Sequence, residues 1–158
     1  MPRLIKGNQI IDNEWQFIPA DFDAALPEGK LIVPLARWLE NSGNDNLAPW
    51  LGSEDEVEKV ADQLVQSPLI AINFPSFMDG RGFSSARLLR ERYNYRGELR
   101  AVGYVIQDQL FYLKRCGFDA FDLREGTDLD AALASLNDFT VSYQAASDSP
   151  LPLFRKRG

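Results

Sequence analysis

Residues 69–100 read LIAINFPSFMDGRGFSSARLLRERYNYRGELR. They hold the pattern from which the fold is argued. Leu69 to Phe74 is a continuous apolar run in which Asn73 is the one polar member. Continuous rather than alternating apolarity marks a strand covered on both faces. Pro75 to Gly82 is a loop with two glycines, and Ser84 to Tyr93 has the apolar spacing of a helix. Asn94 to Gly97 is a turn signal, and Leu99 to Val105 reads as the next strand. A strand, a helix and a strand joined by short links make a parallel crossover unit.

The unit repeats on both sides. Upstream, Leu31 to Leu35 is a short apolar run whose Pro34 removes a ladder donor, which places it at a strand end or edge. Glu40 to Gly52 is rich in Asn, Gly and Ser and reads as a loop. Val57, Val60, Ala61, Leu64 and Val65 recur at helical spacing behind Ser53 or Asp55 as a cap. Downstream, Asp108 to Cys116 is a helix closed by Gly117, Phe118 to Leu123 a strand, and Leu129 to Leu136 a helix capped by Asp128. Phe139 to Tyr143 reads as one more extended piece. At the start, Leu4-Ile5 and Ile10-Ile11 flank Gly7-Asn8 as an antiparallel hairpin.

The expected architecture is a single α/β domain over residues 1–144. It has a mainly parallel sheet of about four or five strands covered by helices, either flavodoxin-like or shaped like part of a barrel. A complete eight-fold barrel needs about 250 residues, and this chain has 158. Residues 1–18 form a β appendage, and 145–158 a flexible tail.

Composition restricts the chemistry. There is no histidine and one cysteine, so Ser-His-Asp and Cys-His catalysis, common zinc sites, iron–sulfur clusters and CxxC redox pairs are excluded within this chain. Neither a metal nor a cofactor is expected, and no run of apolar residues is long enough for a membrane helix. The single cysteine suits a reducing, cytoplasmic setting. The net charge is −6, yet residues 79–100 carry six arginines against Asp79, Glu91 and Glu98. An acidic chain with one local arginine concentration suits a small anion or an acidic partner surface better than nucleic acid.

Ligands of parallel sheets collect at the carboxyl ends of the strands. This rule selects Arg37, Trp38, Asn73, Tyr104, Gln107 and Arg124. For Trp38, packing into the core is the competing reading. The strongest candidate is the loop before the central helix. Gly80 and Gly82 permit close backbone approach, the amides near Ser84 and Ser85 suit an oxyanion, and Arg81 offers a planar fork. Arg87, one turn on, is a further candidate anion contact, with a solvated helix face paired to Glu91 as its competing reading. The competing reading is an ordinary loop in which Ser84 caps the helix and Asp79 pairs with Arg81. Asp79 and Asp108 are the carboxylates available for acid/base catalysis, Asp108 having an N-cap role as its alternative. Arg90, Arg92, Arg96 and Arg100 read as surface charges or partner contacts. Cys116 reads as a buried thiol.

The text FPSFMDGRGFSSARLLRER at 74–92, followed by GELRAVGYVIQDQLFYLKRCGFDAFDL at 97–123, resembles the bacterial DUF934 family. Its recurring text is close to FPxFxDGRGYSxARLLRER and GELRAVGDVLRDQLFYLxRCGFDAFEL. Phe83 stands where a tyrosine is usual, and Tyr104 and Gln107 where an aspartate and an arginine are usual. The resemblance implies an accessory protein or oxidoreductase of sulfite reduction and sulfate assimilation, with a sulfite reductase or related enzyme as partner. Three functions therefore stand side by side: an oxyanion- or reductase-binding accessory protein, an enzyme using Asp79 and Asp108 with Arg81 on an anionic substrate, and a structural interaction module.

Overall fold

The Gly7-Asn8 break makes the turn that the sequence asks for. Gly7 takes φ +62° and joins β1 (Arg3–Lys6) to β2 (Gln9–Asp12) as an antiparallel pair. The computed structural model describes residues 2–41, 43–76 and 80–137. Beyond the hairpin come β3 (Trp15–Phe17), β4 (Lys30–Pro34), α1 (Leu35–Glu40), β5 (Leu47–Leu51), α2 (Val57–Leu64) and β6 (Leu69–Phe74). Then follow α3 (Gly80–Arg87), which runs on as a π-helical turn (Leu88–Arg92), β7 (Glu98–Gly103), a 3₁₀ turn (Gln107–Gln109) leading into α4 (Leu110–Cys116), and β8 (Ala120–Phe121). The last described helix, α5, covers 129–137.

The strands lie in the order β2-β1-β8-β7-β6-β5-β4-β3. From β3 to β8 every pair is parallel and every new strand adds on the same side. Right-handed crossovers then put all the helices on one face. That progression has no reversal point, so the flavodoxin-like alternative is set aside and the partial-barrel one holds. The sheet is also larger and more mixed than expected, with eight strands among the described residues. The hairpin at 1–18 is no appendage, because β1 pairs antiparallel with β8 and makes the sheet's far side. Residues 139–143 and 145–158 lie outside the described residues.

The sequence reading missed β5. Its proline and its loop-like neighbours hid it, yet Leu47, Ala48, Pro49, Trp50 and Leu51 are all buried and Val33 pairs with Pro49. Tertiary burial decided that strand. Ser53 and Asp55 do not cap α2, which starts at Val57 after Glu56. Instead Asp55 Oδ2 accepts the Gly52 N–H at 2.8 Å and closes a turn. Asp128 does cap α5, its Oδ1 accepting from Ala131 N at 3.2 Å, and Gly117 ends α4 at φ +115°.

Strand alternation divides the interior in two. Leu51, Ile70, Ile72, Phe74, Leu99, Ala101 and Phe121 face the helices and meet Val57, Leu64, Phe83, Leu89, Leu110, Leu113 and Leu136. Ile32, Ala48, Trp50, Leu69, Ala71 and Val102 face the other way, with Trp15 packed on them. The connection between the edge strands β2 and β3 is only Asn13 and Glu14. Three residue steps reach about 11 Å at most. The sheet must therefore curl into a half-barrel until its two edges approach each other.

Candidate functional site

At the carboxyl ends of β4, β5 and β6 the curl opens into a cleft of about 350 Å³, lined among others by Pro34, Trp50, Gly52, Ser53, Asp55 and Asn73. Trp50 is fixed from two sides. Its indole N–H donates to the Ile18 carbonyl at 2.9 Å, and Phe17 stacks on it with centroids 5.3 Å apart. Asn73, the last residue but one of β6, pairs with Val102. Its amide oxygen lies where a side chain on Gly103 would stand, which only a glycine at φ +87° allows. Arg81 reaches this cleft by donating through Nη1 to the carbonyl of Ser53, one of the lining residues.

The remaining loop residues are placed differently from the expectation. The central helix begins at Gly80, four residues earlier than Ser84. Ser84 and Ser85 thus fall in its second turn, where their backbone N–H groups bond within the helix. Both lie inside the helix, so neither is its cap. Neither Gly80 nor Gly82 has positive φ. Gly82 is buried because a side chain there would strike the ring of Phe74, with Cζ at 2.7 Å, so its smallness seats α3 on the sheet. Arg87 is exposed, and Cys116 of α4 beside it raises its guanidinium pKa.

The other carboxyl-end candidates scatter. Arg37 is spent on the 19–29 loop, donating to the carbonyls of Phe22 at 3.1 Å and Ala24 at 3.3 Å. Trp38 packs into the core and lines a separate cavity with Leu47, Ser67 and Pro68, at the amino ends of the strands. Arg124 stacks over Tyr104 at 4.5 Å. Gln107 and Asp108 line a small cavity with Ser135 and Leu136 of α5. Asp108 is exposed and bonds no cap position of α4. Arg81 turns toward β5 and Asp108 toward α5, so no contact between them is formed. Asp79 lies outside the described residues. Among the described residues no cluster of three His, Cys, Asp or Glu side chains could hold a metal ion. No described helix is long and apolar enough to cross a membrane.

The family model described as a bacterial protein of unknown function, DUF934, matches residues 48–154. The chain belongs to the DUF934 family. No curated protein and no solved structure matches it. The DUF934 match starts inside β5, so β1 to β4, with Asn13 and Pro34, lie ahead of the matched part.

Within the DUF934 part, two arginines read from sequence as surface charges prove internal. Arg90 donates to the carbonyls of Gly117 at 2.8 Å, Tyr95 at 2.9 Å and Gly97 at 2.8 Å, and pairs with Asp119 at 3.5 Å. Arg100 is 2% exposed. Its Nε donates to Glu98 at 2.7 Å and its Nη1 to Asn13 at 3.0 Å. Strand alternation carries the missed signal: Leu99 and Ala101 face the helices, so Arg100 has to enter the curl. Burial pushes the carboxyl pKa values of Asp119 and Asp122 up, opposed at Asp119 by the Leu99 N–H and Arg90, and at Asp122 by Arg100. Tyr95 is likewise pushed up, mainly by burial, and its hydroxyl donates to the Ser67 carbonyl at 2.7 Å.

Proposed function

We propose that this chain is an accessory protein of assimilatory sulfite or sulfate reduction that holds a small oxyanion, or the reductase carrying one, at the carboxyl-end cleft. The pathway rests on the family resemblance. The binding role rests on one observation, the link from Arg81 to the Ser53 carbonyl at the cleft. A guanidinium fixed by one nitrogen at a cleft wall is pre-oriented for an anionic oxygen, which lowers the ordering cost of binding. The first turn of α3 starts beside it and adds backbone N–H groups of favourable polarity.

Calorimetric titration with sulfite, sulfate and adenylyl sulfate, together with capture of the purified reductase, tests this reading. Arg81→Ala should weaken binding by about ten-fold, the value of one charge-assisted contact, at an unchanged melting temperature. Failure of the wild type to bind any of the three anions and the reductase rules the reading out. So does an Arg81→Ala protein that binds like the wild type.

A further inference from the structure

Inside the curl, the buried Arg100 lacks one hydrogen bond that its burial calls for, and the partly exposed Asp122 beside it on the same face has no partner for its carboxylate among the described residues. The Nη2 nitrogen of Arg100 meets no acceptor among the described residues, since the guanidinium spends Nε on Glu98 and Nη1 on Asn13. On the neighbouring strand, Arg100 pairs with Ala120, so Asp122 stands two residues on along the same inner face. The Asp122 carboxylate accepts no hydrogen bond from a described residue and forms no ion pair with Arg100, although Arg100 is the charge that acts on it. A buried polar group without a partner is costly and rare, so the Arg100 Nη2 calls for an explanation.

The third member stands on the other side of the same strand. Asn73 pairs with Val102, and Asp122 follows Phe121, the partner of Ala101. Asn73 and Asp122 thus flank Val102, with Arg100 two residues below it on β7. Asn73 also lines the cleft, and Asp122 is itself partly exposed.

We propose that Arg100, Asn73 and Asp122 form a binding site, separate from Arg81, for a small free oxyanion that carries a proton. The Nη2 group donates to an anionic oxygen, the Asn73 amide donates from across Val102, and the Asp122 carboxylate accepts the ligand's O–H. Glu98 is shared between Arg100 and Lys6, the latter at 3.0 Å. These three groups carry one net positive charge, which the Asp122 carboxylate balances, so an anion gains from Arg100 only where its own O–H meets Asp122. A fully deprotonated anion instead sets bare oxygens against the Asp122 carboxylate and is repelled.

The test is calorimetry of the whole chain with sodium phosphate and sodium sulfate at neutral pH and equal ionic strength. Phosphate keeps a proton there and sulfate does not. Phosphate should bind at least about ten-fold more tightly, the discrimination expected from one repelled contact. Asp122→Asn supplies an N–H donor and should abolish that preference, and Asn73→Ala should weaken phosphate. Arg81→Ala should leave phosphate binding intact, which separates this site from the one proposed above. A folded wild type that fails to bind phosphate, or binds both ions equally, overturns the proposal. A preference that survives Asp122→Asn overturns it too. If Asp122→Asn does not fold, the wild-type ratio and the Asn73→Ala titration still decide.

Discussion

Replacing Arg90 with methionine should cost more stability than any other arginine substitution on α3 or the turn that follows it. Methionine keeps an apolar stem over Tyr95, whose ring centroid lies 5.5 Å from the Arg90 guanidinium, and removes only the charge and the donors. Three carbonyls then lose a partner, at residues 95, 97 and 117, and Asp119 loses its ion pair. Hydrogen bonds to a charged group are worth about 1.5–3 kcal/mol each. The Arg90 side chain is 20% exposed, so water can reach some of the vacated carbonyls and the sum falls short of additive. The expected loss is about 3–4 kcal/mol, in the range found when one member of a buried pair is removed. For a chain of this size that is about 10 °C in Tm. Urea unfolding followed by tryptophan fluorescence should show a lower midpoint at an unchanged slope, because the surface exposed on unfolding is the same. Arg96→Ala is the control: Arg96 is exposed, and the change should stay within about 0.5 kcal/mol. A loss below about 1 kcal/mol for Arg90→Met would refute the view that this side chain ties the π-helical turn to the start of β8.

Three further outcomes are expected. Gly82→Ala should destabilise by about 1–2 kcal/mol, because overpacking against Phe74 outweighs the gain in helix propensity; thermal unfolding checks it, and Phe74→Leu in the same chain should recover part of the loss. Asn13→Ala leaves Arg100 Nη1 without its acceptor inside the curl and removes the Oδ1 that accepts from Trp15 N at 3.0 Å, a cost of about 2 kcal/mol readable from the urea midpoint. For Asp122 the folded carboxyl pKa stands above the unfolded one, so the folded state binds more protons between the two values. Wild-type stability from this group therefore falls as pH rises from the ordinary aspartate range, about 3.9, through the raised folded value. Asp122→Asn should lack that portion of the slope, and parallel urea titrations from acid to neutral pH would show it; identical slopes would remove Asp122 from the account.

Local signals settled much of this protein. Gly7 marks the hairpin, Asp128 the start of α5 and Gly117 the end of α4, each because one backbone conformation or one unsatisfied amide demands that residue type. The alternation of apolar runs and helical periods fixed a single α/β sheet, though not its mixed pairing, and Asn73 was placed at a carboxyl end and lines the cleft. Composition alone excluded histidine chemistry.

Tertiary structure decided the rest. Strand order is a long-range property, so nothing local distinguishes a sheet that reverses from one that keeps adding strands on the same side. The Asn13-Glu14 link looks like an ordinary turn until the two strands it joins are found on opposite edges of the sheet. Only then does the curl follow, and with it the burial of Arg100 and the proximity of Asp122 and Asn73. The sequence by itself determined most of the segments that become strands and helices, because those choices depend on neighbours within a few residues; β5, decided by burial between its neighbours, is the exception. Which charges end up inside depended on contacts between segments as distant as Asn13 and Arg100, and those exist only once the sheet has closed around them.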